Sequence, residues 1–181
     1  MNKPAVKVSV FIATSLDGFI ARSDGDVAWL DEYESLGDGE DGGYGELFNS
    51  IEAMVMGRGT FDKILTFDWP YGAKPITVMS SSLTEVPEKL RGSVRIDDST
   101  PIELLRKLEG EGCRHIYLDG GQVIQSFLQE GLVNDITLTV IPILLGQGIP
   151  LFGHLEEEIK LELRESRSWE NGFAQTKYQV V

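Results

Sequence analysis

Three short apolar runs in this chain each stop at a glycine or serine turn: Ala53–Met56 before Gly57-Arg58-Gly59-Thr60, Pro75–Met79 before Ser80-Ser81-Ser82, and His115–Leu118 before Gly120-Gly121-Gln122. Runs of that length and composition, bounded in that way, read as buried strands. The first and third lead into helical patterns, at Thr60–Leu65 and from Gly120-Gly121 through Gln129. Strands that alternate with helices predict an α/β domain, because parallel strands need a crossover and helices make it. The expected sheet is mainly parallel, with helices on both faces. Ligands in such sheets bind at the carboxyl ends of the strands, where all three turns fall. A strand end that opens into a helix also presents unpaired N–H groups and the positive end of a helix dipole. Three such ends in one small domain point to a phosphate-rich dinucleotide.

The rest of the chain fits the same plan. Val6–Ala13 predicts the opening strand and Ser15-Leu16-Asp17-Gly18 a turn. Glu46–Glu52 reads as a helix and Val94–Ile96 as a strand. Thr100, Pro101 and Glu103 form a strong helix start, carried through Leu108 with Gly110 and Gly112 as stops. Gly131 caps the helix that ends at Gln129, and Asp135–Ile141 is a β-branched strand closed by Pro142. Lys160–Arg167 and Phe173–Val180, joined around Glu170-Asn171-Gly172, predict a C-terminal antiparallel hairpin. Residues 22–45 are acidic and rich in glycine, broken by Trp29, Leu30, Tyr33 and Leu36, and read as a functional loop or a surface insertion.

With 181 residues the chain is most economically one domain, residues 1–181. A formal charge of −13 disfavours nucleic acid and anionic membranes as partners, so phosphate must be held by local groups, Arg58 first among them. The start from Met1 lacks the features of a secretion signal and no stretch is apolar enough to span a membrane, which predicts a cytoplasmic protein. Cys113 is the one cysteine and reads as a small buried residue, and the two histidines, His115 and His154, lie in no zinc pattern. No metal site is expected. The acidic run from Asp38 fails the calcium-loop pattern, having Asn49 where a glutamate is required. There is no phosphate loop of the NTPase kind, and no Gly-x-Gly-x-x-Gly lies between a strand and a helix.

The segments FIATSLDGFIA (Phe11–Ala21), AMVMGRGTF (Ala53–Phe61), ITVMSSS (Ile76–Ser82) and the long run Tyr117–Phe152 together resemble the dihydrofolate reductase superfamily. Within it, the chain is similar to the branch of riboflavin-biosynthesis pyrimidine reductases. The resemblance implies a three-layer dihydrofolate-reductase-like fold and an NADPH-dependent reductase of a small heterocycle, a pterin, dihydrofolate or a pyrimidine. It also implies roles at the cofactor. Ala13 and Ile20 would offer backbone groups to the nicotinamide carboxamide, and Gly57, Arg58 and Thr60 would hold phosphate. Ser80 and Ser81 would sit near the adenosine ribose, with Arg58 available to a 2′-phosphate. Gly120, Gly121, Gln122 and Val123 would receive the pyrophosphate.

On the substrate side, folate reductases carry an acid on the helix after the first loop, and spacing points here to Asp41, with Glu46 and Asp26 as competitors. Thr139 matches the folate-reductase threonine that helps to bind the pterin, while Ile124 stands where those enzymes commonly have a tyrosine. Trp29, Phe48, Trp69 and Tyr71 are candidates to stack on a flat ring. No basic cluster marks a ribosyl phosphate site, and the zinc motif of the fused deaminase is missing. The alternative reading is a non-catalytic nucleotide-binding or sensor protein that keeps the NADPH turns without the proton donor. Finally, the apolar segment Ile141–Phe152 suggests a homodimer interface.

Overall fold

The opening alternation of valines becomes strand β1, Lys7–Ser15, in a computed structural model that describes residues 3–31 and 39–181. It runs past the expected end at Ala13 because the Ser15 hydroxyl accepts the Phe19 N–H at 3.0 Å and donates to Asp17 at 2.6 Å, so the chain reverses only after Ser15. There follow β2 (Phe19–Ala21), α1 (Tyr44–Ser50), β3 (Ala53–Gly57), α2 (Arg58–Ile64), β4 (Ile76–Met79) and β5 (Val94–Asp97). The second half contributes α3 (Pro101–Gly110), β6 (His115–Asp119), α4 (Gly121–Gln129), β7 (Asp135–Ile141), β8 (Ile149–Pro150), β9 (Leu161–Ser168) and β10 (Ala174–Val180).

Eight strands form one sheet in the order β5-β4-β3-β6-β1-β7-β10-β9, and β2 pairs with β8 in a small second sheet. From β5 to β7 every pairing is parallel; β10 then runs antiparallel to both β7 and β9. The two sheet faces are covered separately. On one, Val8, Val10, Val55, Ile116 and Leu118 meet Leu104, Leu105 and Leu108 of α3 and Val123, Ile124 and Phe127 of α4. On the other, Met54, Met56, Ile76, Val78 and Tyr117 meet Phe61 of α2 and the half-buried Tyr44, Leu47 and Phe48 of α1. This is the three-layer arrangement expected. Edge strand β9 is exposed along its whole length and carries a bulge at Arg164.

Several boundaries differ from expectation for local reasons. Helix α1 begins at Tyr44 rather than Glu46, because the Asp41 carboxylate accepts the Gly43 and Gly45 N–H groups at 2.8 and 2.7 Å and starts the helix early. Gly110 lies inside α3; the stop is Gly112, whose φ of +87° suits glycine. The short β2 and β8 were not expected, since two or three residues carry no periodicity. Of the acidic loop, residues 32–38, Tyr33 and Leu36 among them, lie outside the described residues.

Two local devices position the helices that border the site. Lys74 donates to the Phe48 and Ile51 carbonyls at 2.9 and 2.8 Å, closing the C-terminal end of α1, and lies 4.7 Å from the Phe48 ring centre. At the start of α4, Gly120 has a φ of +96°, and a Cβ there would fall on the Thr60 hydroxyl of α2. Lys74→Met should therefore loosen α1 and cost about 1.5–3 kcal/mol in denaturant unfolding, with faster amide exchange confined to residues 44–51. Gly120→Ala should cost about 1–3 kcal/mol by the same measurement, since the added methyl meets both strain and a clash.

Candidate functional site

Because the strands from β5 to β7 are parallel, their carboxyl ends share one edge of the sheet. There the turns after β3, β4 and β6 enclose an open cleft of about 570 Å3, lined by Gly57, Arg58 and Gly59, by Ser80, Ser81 and Ser82, and by Gln122 and Val123. A fourth turn, Asp97-Asp98-Ser99 at the end of β5, completes the wall; it holds no glycine, the local signal of the turns after β3 and β6. Arg58 spans two of the turns, donating to Ser82 Oγ at 3.0 Å and to Asp62 of its own helix at 3.2 Å. Its side chain remains 48% exposed, so the guanidinium is open to an incoming anion. Among the serines the structure selects differently from the sequence. Ser80 Oγ accepts the Ser82 and Leu83 N–H groups and so builds the turn, while Ser82 is the one that reaches Arg58.

Close approach constrains Gly57 and Gly121. A Cβ on Gly57 would lie 3.3 Å from Val123 Cγ2, and one on Gly121 would meet Ile20 Cδ1 and the Pro150 carbonyl at 3.0 Å each. The first-turn amides of α4 have no acceptor within the helix, so this end can receive anionic oxygens. Ile20 is partly buried against the core and touches the start of α4, placing β2 beside this helix end. Asp17 fixes the turn before β2: its carboxylate accepts the Leu145 and Gly146 N–H groups at 3.1 and 2.7 Å.

Across the sheet from the cleft, strand register aligns a row of side chains on the α1 face. Ala13 of β1 is level with Thr139 of β7, Thr139 with Gln175 of β10, and Gln175 with Arg167 of β9. Gln175 Nε2 lies 2.9 Å from Thr139 Oγ1, and Arg167 Nε lies 2.8 Å from Gln175 Oε1. Arg167 also donates to the Gly42 carbonyl and sits 5.1 Å from the centre of the Trp169 ring. Between this quarter of the sheet and α1 is a cavity of about 300 Å3, with Phe11, Leu47, Thr137, Gln175 and Arg167 in its walls. That volume is at the lower end of those that take small ligands.

The acids of the region divide sharply. Asp41 spends both oxygens on backbone amides, which hold its carboxyl below the usual range; a group stabilised in its charged form is a poor proton source. Asp26 accepts the Ala28 N–H and pairs with Arg22 at 3.4 Å, and Glu46 is exposed in the first turn of α1. Asp119, at the end of β6, is different. It keeps some solvent contact, yet burial among protein atoms pushes its carboxyl up to about 6, against the opposing hydrogen bond from the Gly120 amide. Its charge in turn helps to raise the Tyr44 phenol to about 12 and those of Tyr71 and Tyr117 upward as well, after burial. Tyr117 donates to the Phe11 carbonyl at 2.9 Å, and Tyr44 packs edge-on against Phe11 and Tyr117 with ring centres 5.6 and 6.2 Å apart. Asp119 lies inside the segment Tyr117–Phe152, where no neighbouring residue in the chain signals a raised proton affinity.

Trp29 is a correction. It is fully buried with Ile141 and Phe173, so it presents no ring face to a heterocycle. Its indole N–H is the buried side-chain polar atom left without a partner among the described residues. Cys113 is buried as expected, with Sγ 3.8 Å from the Glu52 carboxylate. No helix among the described residues is long and apolar enough to cross a membrane.

The family model of the RibD C-terminal domain matches residues 6–174. The uncharacterized protein YwjB of Bacillus subtilis is 33% identical over 166 residues, covering 90% of this chain and 92% of that one. Among solved structures, a putative riboflavin biosynthesis protein from Shewanella sp. PV-4 superposes with a TM-score of 0.91 at 37% identity, covering 97% of this chain and 99% of that one. A Thermotoga maritima diaminohydroxyphosphoribosylaminopyrimidine deaminase/5-amino-6-(5-phosphoribosylamino)uracil reductase shares the fold at a TM-score of 0.72 and 15% identity, over 97% of this chain and 57% of that one. The α/β architecture, the converging turns and these matches lead to one assignment: the chain belongs to the RibD C-terminal domain family, the pyrimidine-reductase-like branch of the dihydrofolate-reductase-like superfamily.

Proposed function

We propose that this protein is an NADPH-dependent reductase of a small heterocycle, with uracil-type pyrimidines as the nearest class. One observation carries the reading: the turns after β3, β4 and β6 converge on a single cleft at the strand ends, and β6, which leads into the third turn, ends in a carboxyl whose affinity for a proton is raised. The residues fit a dinucleotide, since Gln122 brings the first turn of α4 to the wall of the cleft and Arg58 offers a half-exposed guanidinium. Bound there, NADPH would supply the hydride.

The chain's own groups do the rest. Arg58 and Ser82 would hold a 2′-phosphate, with Asp62 giving up its ion pair as the anion arrives. Gly121 and Gln122 would take the pyrophosphate. Ala13 and Ile20 would border the reacting ring, and the aromatic group of Phe11, Tyr44 and Tyr117 would keep water from the α1 side. Asp119 would hold the proton that completes reduction of a C=N or C=O bond. A carboxyl near 6 is partly protonated at neutral pH, whereas an ordinary aspartate is not.

In fluorescence titrations, NADPH should bind about ten-fold or more tightly than NADH, and Arg58→Ala should remove most of that preference. Equal binding of both cofactors by the wild type, unchanged in the variant, would refute the cofactor assignment. Asp119→Asn should lower turnover about a hundred-fold. In the wild type the rate should fall as pH rises through about 6, the limb on which the protonated acid is lost. The stability effect has the same sense. The folded protein binds this proton more tightly than the unfolded chain, so ionisation of Asp119 weakens the fold as pH rises from about 4 through 6. Asp119→Asn should consequently melt above the wild type at pH 7 and lose that advantage near pH 4.

A further inference from the structure

The row Ala13–Thr139–Gln175–Arg167 has a direction as well as a position. A guanidinium only donates hydrogen bonds, so the Gln175 atom 2.8 Å from Arg167 Nε must be the carbonyl oxygen. The amide nitrogen then faces β7 and donates to Thr139 Oγ1, 2.9 Å away. An asparagine or glutamine amide can ordinarily be turned over without changing its shape, but here a pure donor on one side forbids it. Thr139 already accepts a hydrogen bond, and its own proton is left to give. Water competes little for these groups, since Gln175 is 3% exposed and Thr139 7%. Arg167 is itself held in place by the Gly42 carbonyl and the Trp169 ring.

We infer that Arg167 and Gln175 are positioning residues that set Thr139 as a hydrogen-bond donor toward the substrate. The site therefore selects a ring that presents an acceptor to Thr139, a carbonyl oxygen or an unprotonated ring nitrogen, over one that presents an amino group. The inference rests on the reductase reading and narrows its substrate class. Gln175→Glu is the informative change. A glutamate keeps the contact with Arg167 as an ion pair but offers oxygen to Thr139, whose proton is then drawn away from the substrate.

The test is NADPH-dependent turnover of 5-amino-6-(ribosylamino)uracil 5′-phosphate by the wild type and by Thr139→Val, Thr139→Ser, Gln175→Glu, Arg167→Met, Arg167→Lys and the double variant Thr139→Val/Gln175→Glu, each checked for folding by thermal melting. Thr139→Val and Gln175→Glu should each raise KM about ten-fold while kcat stays within about two-fold. The double variant should be no worse than Thr139→Val alone, because Gln175 acts through the hydroxyl. Thr139→Ser should restore most of the affinity lost in Thr139→Val, and Arg167→Lys, again a pure donor, should restore most of that lost in Arg167→Met. A wild-type KM in Gln175→Glu, or multiplicative losses in the double variant, would overturn the relay while turnover by the wild type left the reductase reading standing. No turnover by the wild type would overturn the substrate reading, and this inference with it.

Discussion

Everything at the site depends on where β1 lies. It is hydrogen-bonded in parallel to β6 on one side and to β7 on the other, with Val10 level with both Leu118 and Ile136. That pairing brings the ends of three strands, far apart in the chain, onto one edge. It sets Ala13 beside Thr139, and, with β6 also bound to β3, it carries Gly57 and Gly120 into the same neighbourhood. Side chains alternate between faces along each strand, so a slip of one residue in β1 would move Val8 and Val10 away from α4 and turn Ala13 away from Thr139. Core packing and site geometry are thus fixed by the same ladder.

The two faces share the work unequally. Helices α3 and α4 cover theirs with fully buried leucine, isoleucine and phenylalanine, the construction of a rigid support. Phe61 of α2 is buried on the other face, but α1 covers its share with side chains none of which is fully buried, held by aromatic contacts, by Lys74 and by the Asp41 cap. The Gly120-Gly121 turn opens a helix of the rigid face, the Gly57–Thr60 turn opens one of the other, and the small cavity lies beside α1. A scaffold of this kind can keep the cofactor half constant while the surface over the cavity varies.

What the sequence revealed follows how local each signal is. The Gly57–Thr60 and Gly120-Gly121 turns were legible because strand end, glycine and helix start are consecutive in the chain. The strands of the sheet were legible for the same reason, through β-branched runs closed by glycine or proline. Asp119 was not, because a carboxyl's proton affinity depends on what packs round it, and Tyr44 and Tyr71 arrive from distant segments. Trp29 misled in the opposite sense: a tryptophan in a polar stretch looks like a surface aromatic until Ile141 and Phe173 close over it. The role of Asp41 had a local signal that was available, since an aspartate followed by glycines just before a helix is a common start for one. The relay through Gln175 left no trace in sequence, being created by two antiparallel registers.

The exposed edge strand has a bearing beyond the site. An eight-stranded sheet that ended in a flat, apolar strand would offer its free N–H and C=O groups to any other extended chain. Here the last strand carries Glu162, Arg164, Glu165 and Arg167, and a bulge at Arg164 interrupts its regular spacing. A strand added from outside would meet alternating charge and a broken register. The arginine that reaches Gln175 from β9 therefore also belongs to the charged, bulged rim of the sheet, so one residue serves both the inner row and the edge.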